Sequence, residues 1–487
     1  MNSRKEKFYI TTTLPYVNAT PHIGFALELV QADVIARYHA MQGEEVIFNF
    51  GVDEHGLKIY RKALEAGKEP QEYVDEYAKK FSALKQALNV SYTNFIRTTD
   101  SHHLRAAQEF WRRCEKNGDI YKKAYHVKYC IGCELEKTDS ELEKGRCPWH
   151  PNLELEEIAE ENYFFRFSNY AEKLIALYEK HPEIVVPNFR LNEIREFVKR
   201  GLRDFSISRV KEKMPWGIPI PGDESQIMYV WFDALVNYIS TLGWPDDEKK
   251  FGEFWPGMQI AGKDNLRPQS AMWQAMLLSA GLPPSRRILI HGFITSGGEK
   301  MSKSLGNVVD PFEIVKRYGI DPVRYFLLRE IPSDEDGDFS TEKLEARYRG
   351  DLANGLGNFT ARVLTLGEQI SPLEPGTIDA DIEREIRTAR DAIGKNLESF
   401  KLHEALAALW QLIHFGDRYV DEKKPWAIKS EPQKRDVIFN LITILDNVGA
   451  LLVPFLPGTA EKITSCIEWE KDVLRIKKGE VLFPRLS

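Results

Sequence analysis

Two short strings lie far apart in this 487-residue chain: Pro21-His22-Ile23-Gly24-Phe25, and Lys300-Met301-Ser302-Lys303-Ser304 set between Gly297-Gly298 and Gly306-Asn307. A chain of this length shows the second string by chance with a likelihood on the order of 10⁻⁴. From Ile23 the apolar residues Ile23, Leu27, Val30, Val34, Tyr38 and Met41 recur at helical spacing until Gly43. His22 and Gly24 therefore lie at a helix start, where backbone N–H groups and the positive end of the dipole favour an anion and where Gly24 permits close approach. Lys300 and Lys303 place two ammonium groups on a glycine-flanked loop that can close on phosphate. Alone, His22 reads as a helix cap and the lysines as a solvated turn. Together they read as two halves of one triphosphate site, and a fold that serves both must bring distant segments together.

Around the first string the pattern is that of an open parallel sheet. Residues 8–13 form a β-prone run, and residues 46–50 a second one that leads into Gly51-Val52-Asp53-Glu54-His55-Gly56, at the carboxyl end where such sheets place ligands. The expected opening is a right-handed β-α-β unit. Residues 288–291 read as a further strand, and 312–318 and 322–329 as short helices. After Asp351 the chain reads as nearly all helical, with Leu402, Leu406, Leu409 and Ile413 on one face and Val437, Leu441, Ile444, Val448 and Leu451 on another.

Length implies roughly two to four domains. With 43% hydrophobic and 29% charged residues the chain reads as globular. The apolar stretch 437–456 is interrupted by Asn440, Asp446 and Asn447, so it is a buried helix and no membrane span is expected. No secretory signal is visible in the lysine-rich start. A net charge of −7 gives no global attraction to nucleic acid, so any RNA contact must be local.

Three of the five cysteines fall in Cys130-x2-Cys133, then thirteen residues, then Cys147-x2-His150. Two such chelating half-sites close a tetrahedral Zn²⁺, with all four positions protein ligands and hence a structural role. A redox pair, or four unrelated residues, are the alternatives. This cysteine usage fits a reducing cytosol, and a cytoplasmic location is expected.

In order along the chain, the His22 string, the Asp53 loop, the cysteine cluster, Trp216-Gly217-Ile218-Pro219, the segment from Tyr229-Val230-Trp231-Phe232-Asp233-Ala234-Leu235 through Tyr238, the Lys300 string and the helical end resemble the methionyl-tRNA synthetases, a family of class I aminoacyl-tRNA synthetases. The resemblance implies an α/β fold: a Rossmann-like parallel sheet catalytic domain (1–116 and 213–290) with an inserted zinc-knuckle domain (117–212), a KMSKS loop and stem-contact region (291–350) and an all-α anticodon-binding helix bundle (351–487). It implies ATP-dependent activation of L-methionine and transfer to tRNA(Met), with Mg²⁺ accompanying ATP and one structural Zn²⁺.

Carried over residue by residue, the nucleotide contacts are His22, Gly24, Phe25, Asp264, Lys300, Met301, Ser302, Lys303 and Ser304, with His22, Lys300 and Lys303 catalytic. Phe25 departs from the family's second histidine, and Lys263 is a candidate to replace that contact. The methionine positions are Leu14, Tyr16, Asp53, Trp231, Leu235, Tyr238, Asn265 and Gln269. Asp53 suits the substrate ammonium by a charge-assisted hydrogen bond, and an aromatic-walled slot suits a polarisable thioether. Asn265 and Gln269 stand where the family frequently has an apolar residue and histidine, so the sulfur-side wall is expected to differ. Asn354-Gly355-Leu356-Gly357-Asn358-Phe359-Thr360-Ala361-Arg362 and Lys424-Pro425-Trp426 are similar to the family's anticodon-reading segments, with Asn358, Arg362 and Trp426 facing unstacked bases. A monomer is expected, because the chain ends at Pro484-Arg485-Leu486-Ser487 without an appended module. Two other classes stay open: an inactive paralogue that binds tRNA, and a related nucleotidyltransferase acting on another small molecule.

Overall fold

The structure, a computed structural model, describes residues 5–133, 135–137, 139–301, 307–470 and 473–486. The chain divides into two compact units. The first takes the chain up to Pro21, Glu44–Ala83 and Tyr92–Ile290; the second takes His22–Gly43, Leu84–Ser91 and the chain from His291 on.

The first unit is built on a six-stranded sheet: β1 (Lys7–Thr12), β2 (Glu45–Val52), β3 (Asn94–Arg97), β4 (Val185–Val186), β5 (Met258–Gly262) and β6 (Arg287–His291), in the order β3-β2-β1-β5-β6-β4. β1 pairs in parallel with β2 and with β5, β2 with β3, and β6 with β4. Every residue of β5 and the last five of β1 and β2 are buried, as expected where both faces of a parallel sheet are covered. Because β2 and β5 leave β1 on opposite sides, the strand order reverses there, and the crevice beyond the carboxyl ends of β1 and β2 is the topological switch point. Residues 14–16 and 53–56 emerge into it.

An antiparallel sheet of Leu135–Lys137, Ile120–Cys130, Glu156–Phe165 and Phe205–Ser206 carries the cysteine region. The core of the first unit is strongly aromatic. Phe110 stacks on Trp273 with centroids 5.4 Å apart, and Trp111 meets Phe232 edge-on at 5.3 Å. Both tryptophans are fully buried, so truncating either to alanine is expected to cost about 3–5 kcal/mol.

The second unit is mainly helical: Ile23–Met41, Pro311–Tyr318, Ile320–Arg329, then Asn358–Glu368, Ala380–Glu398, Leu402–Lys423, Glu431–Leu452 and Pro457–Thr464. The apolar faces read from the sequence in Leu402–Lys423 and Glu431–Leu452 are buried, except that Leu451 is half-buried and Leu452 takes the interior position; in Ile23–Met41 the set is buried from Ile23 to Val34, Tyr38 is half-buried and Met41 is exposed. The helical reading of the C-terminal region fails at Ile467–Glu470 and Val473–Ile476, which pair as an antiparallel hairpin. The burial of Val473–Ile476 alternates, with Leu474 and Ile476 inward, whereas only Ile467 is buried in the first strand.

Within this unit, fully buried Arg324 holds Asp33 at 2.8 Å and donates to the carbonyls of Leu88, Pro454 and Phe455 at 3.0, 3.1 and 2.8 Å. Asp33 also accepts from the backbone and hydroxyl of Ser91, both at 2.6 Å. A buried ion pair of this kind is tolerated because its remaining valences are met by hydrogen bonds. Among the described residues no helix is long and apolar enough to cross a membrane.

Candidate active site

In the second unit, His22 is the N-cap of helix Ile23–Met41, and its Nδ1 accepts from the backbone N–H of Gly24 at 3.1 Å. That bond makes Nδ1 the acceptor and puts the ring proton on Nε2. Capping and phosphate contact are therefore compatible, each using one nitrogen. A Cβ on Gly24 would stand 2.8 Å from His22 Cε1 and 2.9 Å from Nδ1, so the glycine is required by the histidine's own fold-back. Phe25 lies against the His22 ring, centroids 4.2 Å apart at 30°, and walls it on one side.

The chain around the lysine-rich string is anchored to the same helix start. Ile23 N–H donates to the carbonyl of Val309 at 3.0 Å. Upstream, Thr295 pairs with Lys300 in a short hairpin, and Gly298 N–H donates to Asp338 at 2.8 Å. That bond and the hydroxyl of Thr295 hold the Asp338 carboxyl below the usual carboxylate range. Met301 is half-buried. The side chain of Lys300, and Ser302, Lys303 and Ser304, lie outside the described residues.

In the first unit, Tyr16 and Asp53 form a parallel bridge that extends β1 and β2 into the switch-point crevice; Asp53 N–H donates to Pro15 O at 2.9 Å and Val17 N–H to Asp53 O at 3.2 Å. Asp53 is buried. The neighbouring Glu54 is fully buried against Arg97 at 2.7 Å, and Trp216 Nε1 donates to Glu54 O at 2.6 Å. His55 Nδ1 lies 3.1 Å from Asp233 Oδ2, both buried. This pair ties the Asp53 loop to helix Val230–Leu235, which carries Trp231 and Leu235 four residues apart and so on one face. Burial pushes the Asp233 carboxyl upward and the His55 ring opposes it. Trp231 Nε1 is buried with no protein partner. Leu14 and Tyr16 are half-buried; Asp264 is exposed and accepts from Asn265 Nδ2 at 3.1 Å.

Tyr238 and Gln269, both read from the sequence, are joined: Gln269 Nε2 donates to Tyr238 Oη at 2.6 Å. Gln269 in turn accepts from Gln259 Nε2 at 3.1 Å. The sequence reading missed Asp233 and the glutamine behind Gln269. A polar Gln259 in the otherwise apolar, fully buried strand Met258–Gly262 signals a required partner, although not which one.

Cys130, Cys133, Cys147 and His150 bring their donor atoms within 4.8 Å of one another. Cys133 Sγ lies 3.4 Å from Cys147 Sγ and 3.2 Å from His150 Nδ1, while Cys130 and Cys147 stand 3.8 and 4.0 Å from that nitrogen. A tetrahedral ion with bonds of about 2.0–2.3 Å needs donors roughly 3.4–3.8 Å apart, so the residues fit a closed metal site. Gly132 makes room for it, since a Cβ there would stand 2.4 Å from His150 Cγ.

In the helical region, Asn358 opens helix Asn358–Glu368 and is exposed, and Arg362 follows one turn later. Arg362 binds Asp421 at 2.5 Å and lies 3.6 Å from Asp417, with its guanidinium 6.0 Å from the ring centroid of Trp426. Trp426 is 59% exposed on a short turn, Pro425–Ala427, so it is not the packing residue that a proline-led helix start suggests.

The family model described as "tRNA synthetases class I (M)" matches residues 8–158 and 152–364, and that of the anticodon-binding domain of tRNA ligase matches 379–480. The chain belongs to the class I tRNA synthetases, in the methionyl-tRNA synthetase family. A methionine–tRNA ligase of Brucella suis is 41% identical over 94% of this chain and 91% of its own length; that of Caldanaerobacter subterraneus is 39% identical over 99% and 79%. The structure of Mycobacterium tuberculosis methionyl-tRNA synthetase in complex with methionyl-adenylate superposes with a TM-score of 0.93 at 34% identity, covering 99% of this chain and 100% of that one.

Proposed function

We propose that the chain activates L-methionine with ATP to methionyl-adenylate and transfers the methionyl group to the 3′ end of tRNA(Met). In the first step a carboxylate oxygen of methionine attacks the α-phosphorus, the bond to the β-phosphate oxygen breaks, and pyrophosphate leaves. In the second, the terminal adenosine hydroxyl attacks the adenylate carbonyl and AMP leaves. No side chain becomes a covalent intermediate, so the protein's contribution is positioning and charge stabilisation.

His22 donates from Nε2 to a phosphate oxygen, and Lys300 and Lys303, with Ser302 and Ser304 beside them, follow the charge that builds on the departing pyrophosphate. Mg²⁺ bound with ATP supplies further neutralisation there. Asp53 would receive the substrate ammonium, Asp264 the ribose, and Leu14, Tyr16, Trp231, Leu235 and Tyr238 the side chain. The reading is carried by the bond from Ile23 N–H to Val309 O, which seats the helix start beside the chain that follows the lysine string.

Zn²⁺ in the Cys3His site would stiffen the insert; four protein ligands leave no open position for chemistry. Asn358, Arg362 and Trp426 would read the anticodon. The five unpaired thiols are consistent with a cytoplasmic protein. Acid-precipitable counts from labelled methionine, dependent on both ATP and tRNA(Met), test the whole proposal. Absence of charging, or charging with a different amino acid, contradicts it.

A further inference from the structure

Behind Tyr238 runs a chain of buried amides whose direction is set by the backbone. Ser285 N–H, which can only donate, meets Gln274 Oε1 at 2.9 Å, so the amide of Gln274 faces Gln269 O at 2.8 Å and Ser285 Oγ at 3.0 Å with its nitrogen. Ser285 Oγ accepts there, and its own hydrogen goes to Gln259 Oε1 at 2.6 Å. Gln259 must then present Nε2 to Gln269 Oε1 at 3.1 Å, and Gln269 must present Nε2 to Tyr238 Oη at 2.6 Å. All five side chains are at most 4% exposed, so water does not break the sequence of donors.

A phenol hydrogen lies near the ring plane, on one side or the other. With one side of Tyr238 Oη occupied by a donor, its hydrogen is turned to the side away from Gln269. We propose that Gln259, Ser285 and Gln274 are positioning residues for substrate selection: the relay compels Tyr238 to donate to the thioether sulfur of methionine. This rests on the functional reading above. It also explains how glutamine serves at 269, where the family frequently has histidine: one amide nitrogen supplies the donor, and its orientation is enforced from behind by Gln259.

Norleucine, which has CH2 in place of sulfur, keeps the shape of methionine and lacks the acceptor. The test is the ratio of kcat/KM for methionine to that for norleucine in amino-acid-dependent ATP–pyrophosphate exchange by the full chain. In Gln259→Glu, a carboxylate facing Gln269 turns the amide over, so that its oxygen faces Tyr238 and captures the phenol hydrogen. The ratio is expected to fall about five- to tenfold through methionine alone, with norleucine turnover within about threefold of the parent. Ser285→Ala, which buries no charge, is expected to lower the ratio about twofold to threefold by freeing Gln259 to turn. In a Tyr238→Phe background neither change should move the ratio further.

An unchanged ratio in a folded Gln259→Glu or Ser285→Ala, or an equal loss for both substrates, overturns the relay while leaving the functional reading intact. Failure of the parent enzyme to exchange with methionine overturns the functional reading and the relay with it.

Discussion

The backbone N–H of Gly24 donates to Nδ1 of His22 at 3.1 Å, leaving the imidazole proton on Nε2. Gly24→Ala would place a methyl group 2.8 Å from His22 Cε1 and force the ring out of this position. Loss of a positioned phosphate donor is expected to slow adenylation about 100-fold, with the methionine KM unchanged. Pyrophosphate exchange at saturating methionine measures it. A near-parent rate in Gly24→Ala would mean that the orientation of His22 is unimportant.

Trp426 stands exposed beside Arg362, whose guanidinium is steered by Asp417 and Asp421. Stacking of a base on a tryptophan is worth about 1–3 kcal/mol, so Trp426→Ala should lower kcat/KM for tRNA(Met) by roughly 5- to 150-fold. Exchange without tRNA should be unaffected. Parallel loss of both activities would show instead a structural role.

The cysteine cluster is expected to carry ~1 zinc per chain. Cys147→Ser should remove it and lower the temperature at which the insert unfolds, measurable by metal content and calorimetry. Full metal retention in that variant would exclude Cys147 as a ligand.

His103 is buried with Nδ1 2.9 Å from Ser240 Oγ, and burial, followed by the nearby His55 and His102, pushes its pKa down to about 3. It stays neutral in the folded chain while the unfolded chain takes up its proton near pH ~6.5. The stabilising difference is thus complete above that pH and is lost as pH falls from there towards about 3. In urea titrations His103→Gln should shallow the pH dependence in this window by about 1.4 kcal/mol per unit relative to the parent. Identical slopes would refute a neutral buried His103.

The sequence made legible what is local or highly specific. The run from Ile23 to Gly43 shows its period, and the observed helix is Ile23–Met41. The spacing of Cys130, Cys133, Cys147 and His150 describes a chelate, and their donors converge. What stayed hidden depends on partners distant along the chain. Gln259, Gln274 and Ser285 meet only because β5, the helix after it and the approach to β6 pack together. His55 and Asp233 are 178 residues apart, and nothing local marks Asp233 as the anchor of the Asp53 loop. The hairpin around Trp469 lies in a region that reads as nearly all helical, because short apolar runs with charged neighbours fit either period.

Methionine-dependent exchange of labelled pyrophosphate into ATP, run on the parent, His22→Ala and Lys303→Ala, tests the shared triphosphate site most directly. Exchange with methionine in the parent, falling about 100-fold in each variant at little-changed methionine KM, is the expected result. Exchange supported by some other acid, or untouched by either substitution, would contradict it.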